Sequence, residues 1–132
     1  MKRALAITVG TLLLASLTAG APAGTGAEMG RYTGALYNRE TGTLDLVLYQ
    51  GTRYYYSGTC DYDCRDLDFV LEEWVPPYNG RRGYWRFVVS DRAANDTPSF
   101  SVTPGYDTTF RLSIFMARCN IEPCGYDVYV SP

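Results

Sequence analysis

Apolar and polar residues alternate with a period of two through much of the chain. In the segment 43–49, Leu44, Leu46 and Leu48 fall on one side of an extended chain, and the segment 109–116 repeats this alternation. Such a period is typical of a β-strand with one buried face. About eight short segments are predicted to be strands, namely 31–38, 43–49, 54–59, 67–72, 84–90, 99–103, 109–116 and 126–130.

No segment after residue 28 has the period of an amphipathic helix. Short strands at regular spacing, separated by turn-forming residues, are typical of an all-β sandwich or barrel. The sequence therefore predicts a single all-β domain. Periodicity alone does not choose between two stacked sheets and a closed barrel.

The longest interruption of the strand pattern is the segment 74–83, WVPPYNGRRG. Its two prolines, two glycines and Asn-Gly pair predict a long loop without regular structure. The strand that follows, 84–90, is predicted to place Trp85, Phe87 and Val89 on one side.

The start of the chain has the features of an export signal. Lys2 and Arg3 precede an apolar run over 4–19, and small residues offer cleavage sites near residue 23 or 27. The run is shorter than the ~20 residues of a usual spanning helix, although a retained anchor is the alternative. We predict a signal peptide over 1–27, and a secreted or periplasmic β-sandwich domain over 28–132 without stable membrane insertion.

Charge narrows the classes of partner. Without Lys2 and Arg3 the chain carries ten arginines against 14 acidic residues, which leaves a net charge of −4, and it has no His. A mildly acidic chain without a basic run is a poor candidate for binding nucleic acid or an anionic membrane. The 12 tyrosines suit strands and an exposed binding surface. We expect a monomer that meets a protein or a polysaccharide outside the cytoplasm.

Four cysteines in an exported chain indicate two disulfides, for which three connectivities exist. We favour the local pairing, Cys60 with Cys64 and Cys119 with Cys124, which would fix the shapes of two small loops. A crossed pairing would instead staple the whole domain and stabilise it more. Zinc bound by these spacings is a third interpretation, which the lack of His and an oxidising compartment disfavour.

Several stretches together resemble the bacterial pre-peptidase C-terminal domains, in particular small secreted members with two cysteine pairs. The resemblance covers residues 46–130, and the stretches that carry it are 51–56, 60–71, 101–104, 109–112, 116–119 and 122–128. It implies a jelly-roll-like antiparallel β-sandwich that is exported and non-catalytic. It also implies an accessory role beside secreted peptidases, in which some members bind calcium or a polymeric substrate.

A cluster of acidic residues is the first candidate site. Asp61, Asp63, Asp66 and Asp68 lie within eight positions, and carboxylates are the ligands that calcium prefers. The cluster does not fit an EF-hand, because Asp66 stands where that loop requires Gly. Strand alternation turns Asp66 and Asp68 to one face. Calcium is therefore one interpretation, and a solvated or arginine-paired acidic loop is the other.

An aromatic segment with arginines is the second candidate site. Flat aromatic rings beside guanidinium groups suit the recognition of sugars, peptides or proteins. The alternative is that the two tryptophans pack on the end of the sandwich and the tyrosines cover them. The candidate binding residues are Trp74, Tyr78, Arg81, Arg82, Tyr84 and Trp85.

The sequence offers little for catalysis. Without His or a mature Lys, the usual nucleophile arrangements lack a base. Glu72 and Glu73 are adjacent on a predicted strand, so they point to opposite faces and cannot flank one glycosidic bond. The favoured interpretation is a secreted, non-catalytic binding or accessory module. The alternatives are an extracellular interaction or peptidase-inhibitor-like protein acting through 74–85, and a purely structural envelope protein.

Overall fold

The computed structural model of the chain describes residues 30–132. Within this range the secondary structure is all β, with eight strands and no helix. The strands are β1 (Gly30–Leu36), β2 (Thr41–Leu48), β3 (Tyr54–Cys60), β4 (Cys64–Val75), β5 (Tyr84–Asp91), β6 (Ser99–Val102), β7 (Thr108–Cys119) and β8 (Cys124–Ser131). The predicted strands are confirmed, with ends that differ by a few residues. The predicted signal peptide lies outside the described residues.

Two four-stranded antiparallel sheets form the domain. The first sheet has the strand order β1-β8-β3-β6, and the second sheet has the order β2-β7-β4-β5. Every connection between consecutive strands passes from one sheet to the other, except the β4–β5 hairpin. This order is that of an eight-stranded jelly roll. The structure thereby confirms the predicted sandwich and excludes a single closed barrel for the described residues.

The core lies between the two sheets and is filled from alternate positions of each strand. In β2 every second residue is buried, as the leucine pattern predicted. Tyr32, Tyr54 and Tyr56 are also in the core, so part of the tyrosine content serves packing. Burial is the main cause that raises the pKa of the Tyr56 hydroxyl. A Cβ at Gly58 would lie 2.5 Å from Phe69 Cζ, which shows how closely the sheets pack there.

Two expectations about the β4–β5 hairpin are wrong. Trp74 was expected in a loop, but β4 continues to Val75 and pairs Trp74 with Trp85. The tip of the connection is also regular, because Tyr78 and Arg81 exchange two main-chain hydrogen bonds of 3.1 and 2.9 Å. The Asn-Gly pair between them has positive φ at both residues, 53° and 82°, the signature of a type I′ turn.

The outward side of β5 also differs from the prediction. A register shift between Leu71 and Glu72 marks a β-bulge, so Leu71 pairs with Val89 while Glu72 pairs with Phe87. Val89 packs against the core, whereas Phe87 is 58% exposed. Trp85 and Phe87 therefore lie on the outer face of the second sheet and not beside Val89, because the bulge breaks the alternation.

The two ends of the sandwich carry different loops. At the disulfide end lie the loops 37–40, 61–63, 92–98 and 120–123. At the hairpin end lie the loops 49–53, 76–83 and 103–107. The two candidate sites of the sequence are therefore at opposite ends of the domain.

Candidate functional site

The two disulfides close the connections at one end of the sandwich. Cys60 is bonded to Cys64 and Cys119 to Cys124, each with a Cα–Cα distance of 5.9 Å. This is the local pairing that the sequence favoured. Each bond joins the end of a strand in one sheet to the start of the next strand in the other sheet. The bonds therefore fix how the two sheets are connected at this end.

Asp61 links the two disulfide loops. Its carboxylate accepts hydrogen bonds from the main-chain N–H of Asp63, at 3.1 Å, and of Gly125, at 2.7 Å. Its own N–H donates to the Gly125 carbonyl at 3.0 Å. In the same region the Asn120 N–H donates to the Asp63 carbonyl at 2.9 Å. Asp61 therefore acts as an acceptor for the protein's own backbone, in a role that needs no metal ion.

Asp66 and Asp68 form a close acidic pair on the outer face of β4. Leu67 between them is fully buried, which confirms that the two carboxylates share the opposite face. The Oδ1 atoms of Asp66 and Asp68 are both buried without a hydrogen-bond partner. Burial, followed by the charge of Asp66 and a hydrogen bond with it, raises the pKa of Asp68 to about 6, although Arg92 opposes this change.

The four aspartates have different surroundings and do not act as one group. Within residues 30–132 there is no cluster of three or more His, Cys, Asp or Glu side chains that is arranged to hold a metal ion. Asp61 is engaged with backbone N–H groups, and the raised pKa of Asp68 has causes within the protein. The calcium site predicted at Asp61, Asp63, Asp66 and Asp68 stays a prediction without support from this arrangement.

The second candidate site is organised around a pair of tryptophans. Trp74 and Trp85 are opposite each other on β4 and β5, with ring centroids 5.2 Å apart and planes tilted by 59°. The guanidinium carbon of Arg111, on β7, lies 4.2 Å from the centroid of the Trp85 ring. Arg111 also donates two hydrogen bonds to the Asp45 carboxylate, at 2.9 and 3.0 Å. Trp74, Trp85, Phe87 and Arg111 are called the aromatic patch below.

The adjoining hairpin is held against this patch by Trp74. A Cβ at Gly83 would lie 2.4 Å from Trp74 Cζ2 and 3.0 Å from Pro77 Cδ, so the indole packs directly on the returning strand. The hairpin tip projects beyond it and presents Tyr78, which is 79% exposed, together with Arg81. Arg82 is also exposed. Trp74 thus packs on its own hairpin, next to Gly83.

Tyr84 does not join the tryptophans. It alternates with Trp85 along β5 and lies on the same side of the strand as Arg86. Arg86 Nε donates to Glu73 at 2.8 Å, and a hydrogen bond to Glu73 is the main cause that raises the pKa of Arg86. Tyr106 lies in the same group, where burial raises the pKa of its hydroxyl. Glu72 pairs instead with Arg111 in the register, so the adjacent glutamates point to opposite faces as predicted.

Two members of the aromatic patch, Phe87 and Arg111, are not among the binding residues predicted from the sequence. Arg111 lies on the outer face of β7, and its contact with Trp85 joins two strands that are separated by β4. Phe87 was predicted on the same side as Trp85 and Val89, and the bulge leaves it with Trp85 and separates it from Val89. No local signal reveals the position of either residue, since both positions depend on strand order and register.

No protein-family model matches the chain, and no curated protein matches its sequence. Solved structures do match. CorA, a surface-associated copper-binding protein of Methylomicrobium album BG8, aligns with a TM-score of 0.58 and 8% identity over 75% of this chain and 92% of that chain. The pre-peptidase C-terminal domain of a Bacillus anthracis collagenase aligns with a TM-score of 0.50 and 13% identity over 76% and 87%.

A third similar structure is MopE, a secreted protein of Methylococcus capsulatus in which an oxidised tryptophan facilitates copper binding. Its TM-score is 0.51 at 8% identity, over 76% of this chain and 72% of that chain. At these identities the likenesses show a shared β-sandwich fold. The resemblance to pre-peptidase C-terminal domains is supported to that extent. None of the residues 30–132 belongs to a helix that is long and apolar enough to span a membrane.

Proposed function

We propose that this chain is an exported, non-catalytic binding module that acts through the aromatic patch and the adjoining hairpin. The observation that carries the proposal is the stack of Asp45, Arg111, Trp85 and Trp74 across the outer face of the second sheet. It holds large rings in fixed positions beside hydrogen-bonding groups. Rings that are fixed before binding lose little conformational entropy on association.

Export is supported by the signal-like residues 1–27 and by the two disulfides, which persist in oxidising compartments. The absence of His and of Lys after residue 2 disfavours the usual general bases. It also disfavours copper binding of the kind named for two structural neighbours, because imidazole is the commonest metal ligand. An accessory role fits the similarity in fold to a collagenase's pre-peptidase C-terminal domain.

The ligand class follows from the chemistry of the patch. Phe87 is 58% exposed, and Trp74 and Trp85 are partly exposed beside the Asp45–Arg111 ion pair. Flat rings next to charged hydrogen-bonding groups recognise extracellular polymers, either polysaccharide or protein. A separate observation supports a protein partner. The hairpin tip presents Tyr78 and Arg81, and tyrosine and arginine are enriched among the residues that dominate binding at protein interfaces.

The experiment is retention of the mature domain on insoluble polysaccharides and on immobilised proteins from the same culture medium. Phe87→Ala and Trp85→Ala are expected to weaken retention at least tenfold. Tyr55→Ala is the matched control, because Tyr55 is 50% exposed and lies on β3 of the first sheet. Equal losses in the control and the patch variants would contradict the proposal, as would wild-type protein that is retained on none of the polymers.

The same assay distinguishes a polysaccharide ligand from a protein ligand. Loss of retention on a protein in Tyr78→Ala and Arg81→Ala, with Phe87→Ala unaffected, would show that the hairpin tip is the binding element. Such a result would favour the interaction or inhibitor-like alternative over the patch.

A further inference from the structure

We infer that the outer face of the second sheet contains a trough that takes one segment of a neutral polysaccharide lying across the strands. This inference rests on the proposed function and assigns a substrate class to the same face. It follows from the register of the four strands, which aligns residues into rows perpendicular to the strand direction. The middle one of three neighbouring rows forms the floor of the trough, and the rows on either side of it form the two walls.

The floor is a row of small side chains. Register pairs Thr43 with Ser113, Ser113 with Val70, and Val70 with Ser90. All four residues point outwards, because their neighbours along each strand are the buried or core-packed residues. Three of the four carry a hydroxyl, and none carries a charge.

The first wall is the next row toward the hairpin end. Register aligns Asp45, Arg111, Glu72 and Phe87. The bidentate ion pair holds the Arg111 side chain upright against Trp85, and Phe87 closes the row at the edge strand. This wall therefore offers an aromatic ring and several charged hydrogen-bonding groups at fixed positions.

The second wall is the row on the other side of the floor. Register aligns Phe115 with Asp68 in the two central strands, and Thr41 continues the row at the β2 edge, where the wall is no higher than the floor. The guanidinium carbon of Arg39 lies 5.1 Å from the centroid of the Phe115 ring, which gives this row an aromatic ring beside an arginine as well. The two walls thus repeat the same combination of groups on both sides of a hydroxyl-lined floor.

The dimensions suit an extended chain. Side chains on one face of a strand are about 6.8 Å apart, so the backbone positions of the two wall rows are about 13 Å apart. Four strands spaced at about 4.8 Å make the floor about 14 Å long. The trough is open at β2 and β5, because those are the edge strands of the second sheet. A polymer is therefore able to enter and leave without a free end.

The chemistry of the face favours a polysaccharide over a peptide. The floor crosses the strands, where the backbone N–H and C=O groups are used within the sheet, so an added peptide strand finds no main-chain partners. The hydroxyl groups of the floor and the aromatic rings of the walls suit a polyhydroxylated chain instead. The walls carry Asp45, Glu72 and Asp68 against Arg39, Arg111 and Arg92, the last of which acts on Asp68, so these charges balance and an uncharged polymer is favoured over an acidic one.

The test is affinity electrophoresis of the oxidised mature domain in native gels that contain hydroxyethylcellulose, xyloglucan, galactomannan, laminarin or polygalacturonate. Ser113→Trp fills the floor in the central strand β7, and Ser90→Trp fills it at the edge strand β5. Ser57→Trp is the matched control, because Ser57 lies on the outer side of the central strand β3 of the first sheet. Thermal melts establish that each variant is folded, and a floor variant that does not fold is replaced by the other.

The expected result is retardation by at least one of the four neutral polysaccharides and none by polygalacturonate. Both floor variants are expected to lose at least tenfold in affinity, while Ser57→Trp retains it. Retardation that survives in folded Ser113→Trp and Ser90→Trp, but is lost in Phe87→Ala, would overturn the trough and leave the proposed function standing. Absence of retardation in all neutral gels, with retention on a protein, would overturn it in favour of a protein ligand.

Discussion

The guanidinium group of Arg111 lies over the Trp85 ring at 4.2 Å, although their strands β7 and β5 are separated by β4. The same guanidinium holds Asp45 on β2 with two hydrogen bonds. One side chain thus connects three strands of the second sheet on its outer face. A contact of this kind positions a ring for recognition and also contributes to stability.

Replacing Arg111 is expected to destabilise the domain modestly. Arg111→Ala removes a cation–π contact of about 0.5–1 kcal/mol and an exposed ion pair of about 0.2–1 kcal/mol. We therefore expect a loss of about 0.7–2 kcal/mol in the free energy of unfolding. Arg111→Lys keeps the charge but not the two-pronged geometry, so a smaller loss is expected. Urea denaturation followed by tryptophan fluorescence measures the stability of both variants. Unchanged stability in Arg111→Ala would show that the contact is weak.

Asp68 is expected to make stability depend on pH. Its pKa rises from 3.8 to about 6 on folding, so its contribution is fully present below pH 3.8 and is lost as the pH rises through 6. Asp68→Asn removes a carboxylate whose ionisation the folded state opposes. We expect this variant to melt higher than wild type at pH 7, with a difference that shrinks toward zero near pH 4.

Asp63→Asn is the control for the comparison of Asp68→Asn with wild type. It neutralises an aspartate at the same end of the sandwich but leaves Asp66 and Asp68 unchanged. Asp66→Asn is expected to act like Asp68→Asn, since the charge of Asp66 is one cause of the raised pKa of Asp68. Melting curves collected from pH 4 to 8 show whether each variant melts above or below wild type at each pH. A lower melting temperature for Asp68→Asn at pH 7 would contradict this account of the pair.

Asp61 is expected to stabilise the disulfide end through its backbone hydrogen bonds. Asp61→Ala removes the acceptors of the Asp63 and Gly125 N–H groups, and a loss of about 1–1.5 kcal/mol is expected. Asp63→Ala is a suitable control, because the Asp63 carbonyl that accepts from Asn120 is retained. Hydrogen exchange of the Gly125 amide provides a local measurement. Equal stability of the two variants would refute the linking role.

Calcium is expected to have little effect on stability. The Asp61 oxygens accept backbone hydrogen bonds, and no three acidic groups converge within the described residues. A metal ion bound at a hundred times its dissociation constant would add about 2.7 kcal/mol to the free energy of unfolding. Melts with calcium and with chelator should therefore coincide. A calcium-dependent rise that disappears in Asp63→Asn would restore the metal site predicted from the sequence.

Sequence patterns were sufficient for the strands whose alternation is unbroken. β2 alternates between core and solvent along its length, and β7 does so from Phe110 to Met116, so their buried faces follow from local sequence alone. The alternation also placed Asp66 and Asp68 on one face. In β5 the same reasoning failed between Phe87 and Val89, because a bulge is a property of the pairing with β4 and not of the local residues.

The candidate sites required contacts between distant parts of the chain. Asp61 meets Gly125 only because the loops 61–63 and 120–123 lie at the same end of the sandwich. The trough likewise depends on the register that aligns Thr43, Ser113 and Ser90, which are distant in sequence. The composition indicated an aromatic binding surface, but the position of that surface could be found only once the strand order was known.

The tryptophans provide the most direct measurement of the central claim. The chain has two tryptophans, and both belong to the aromatic patch, so their fluorescence reports on that surface alone. The measurement is acrylamide quenching with and without a polymer that retains the wild-type domain. Reduced quenching in the presence of the polymer, and no such change for Phe87→Ala, is the predicted result. Unchanged quenching while the polymer is bound would show that binding occurs elsewhere on the molecule.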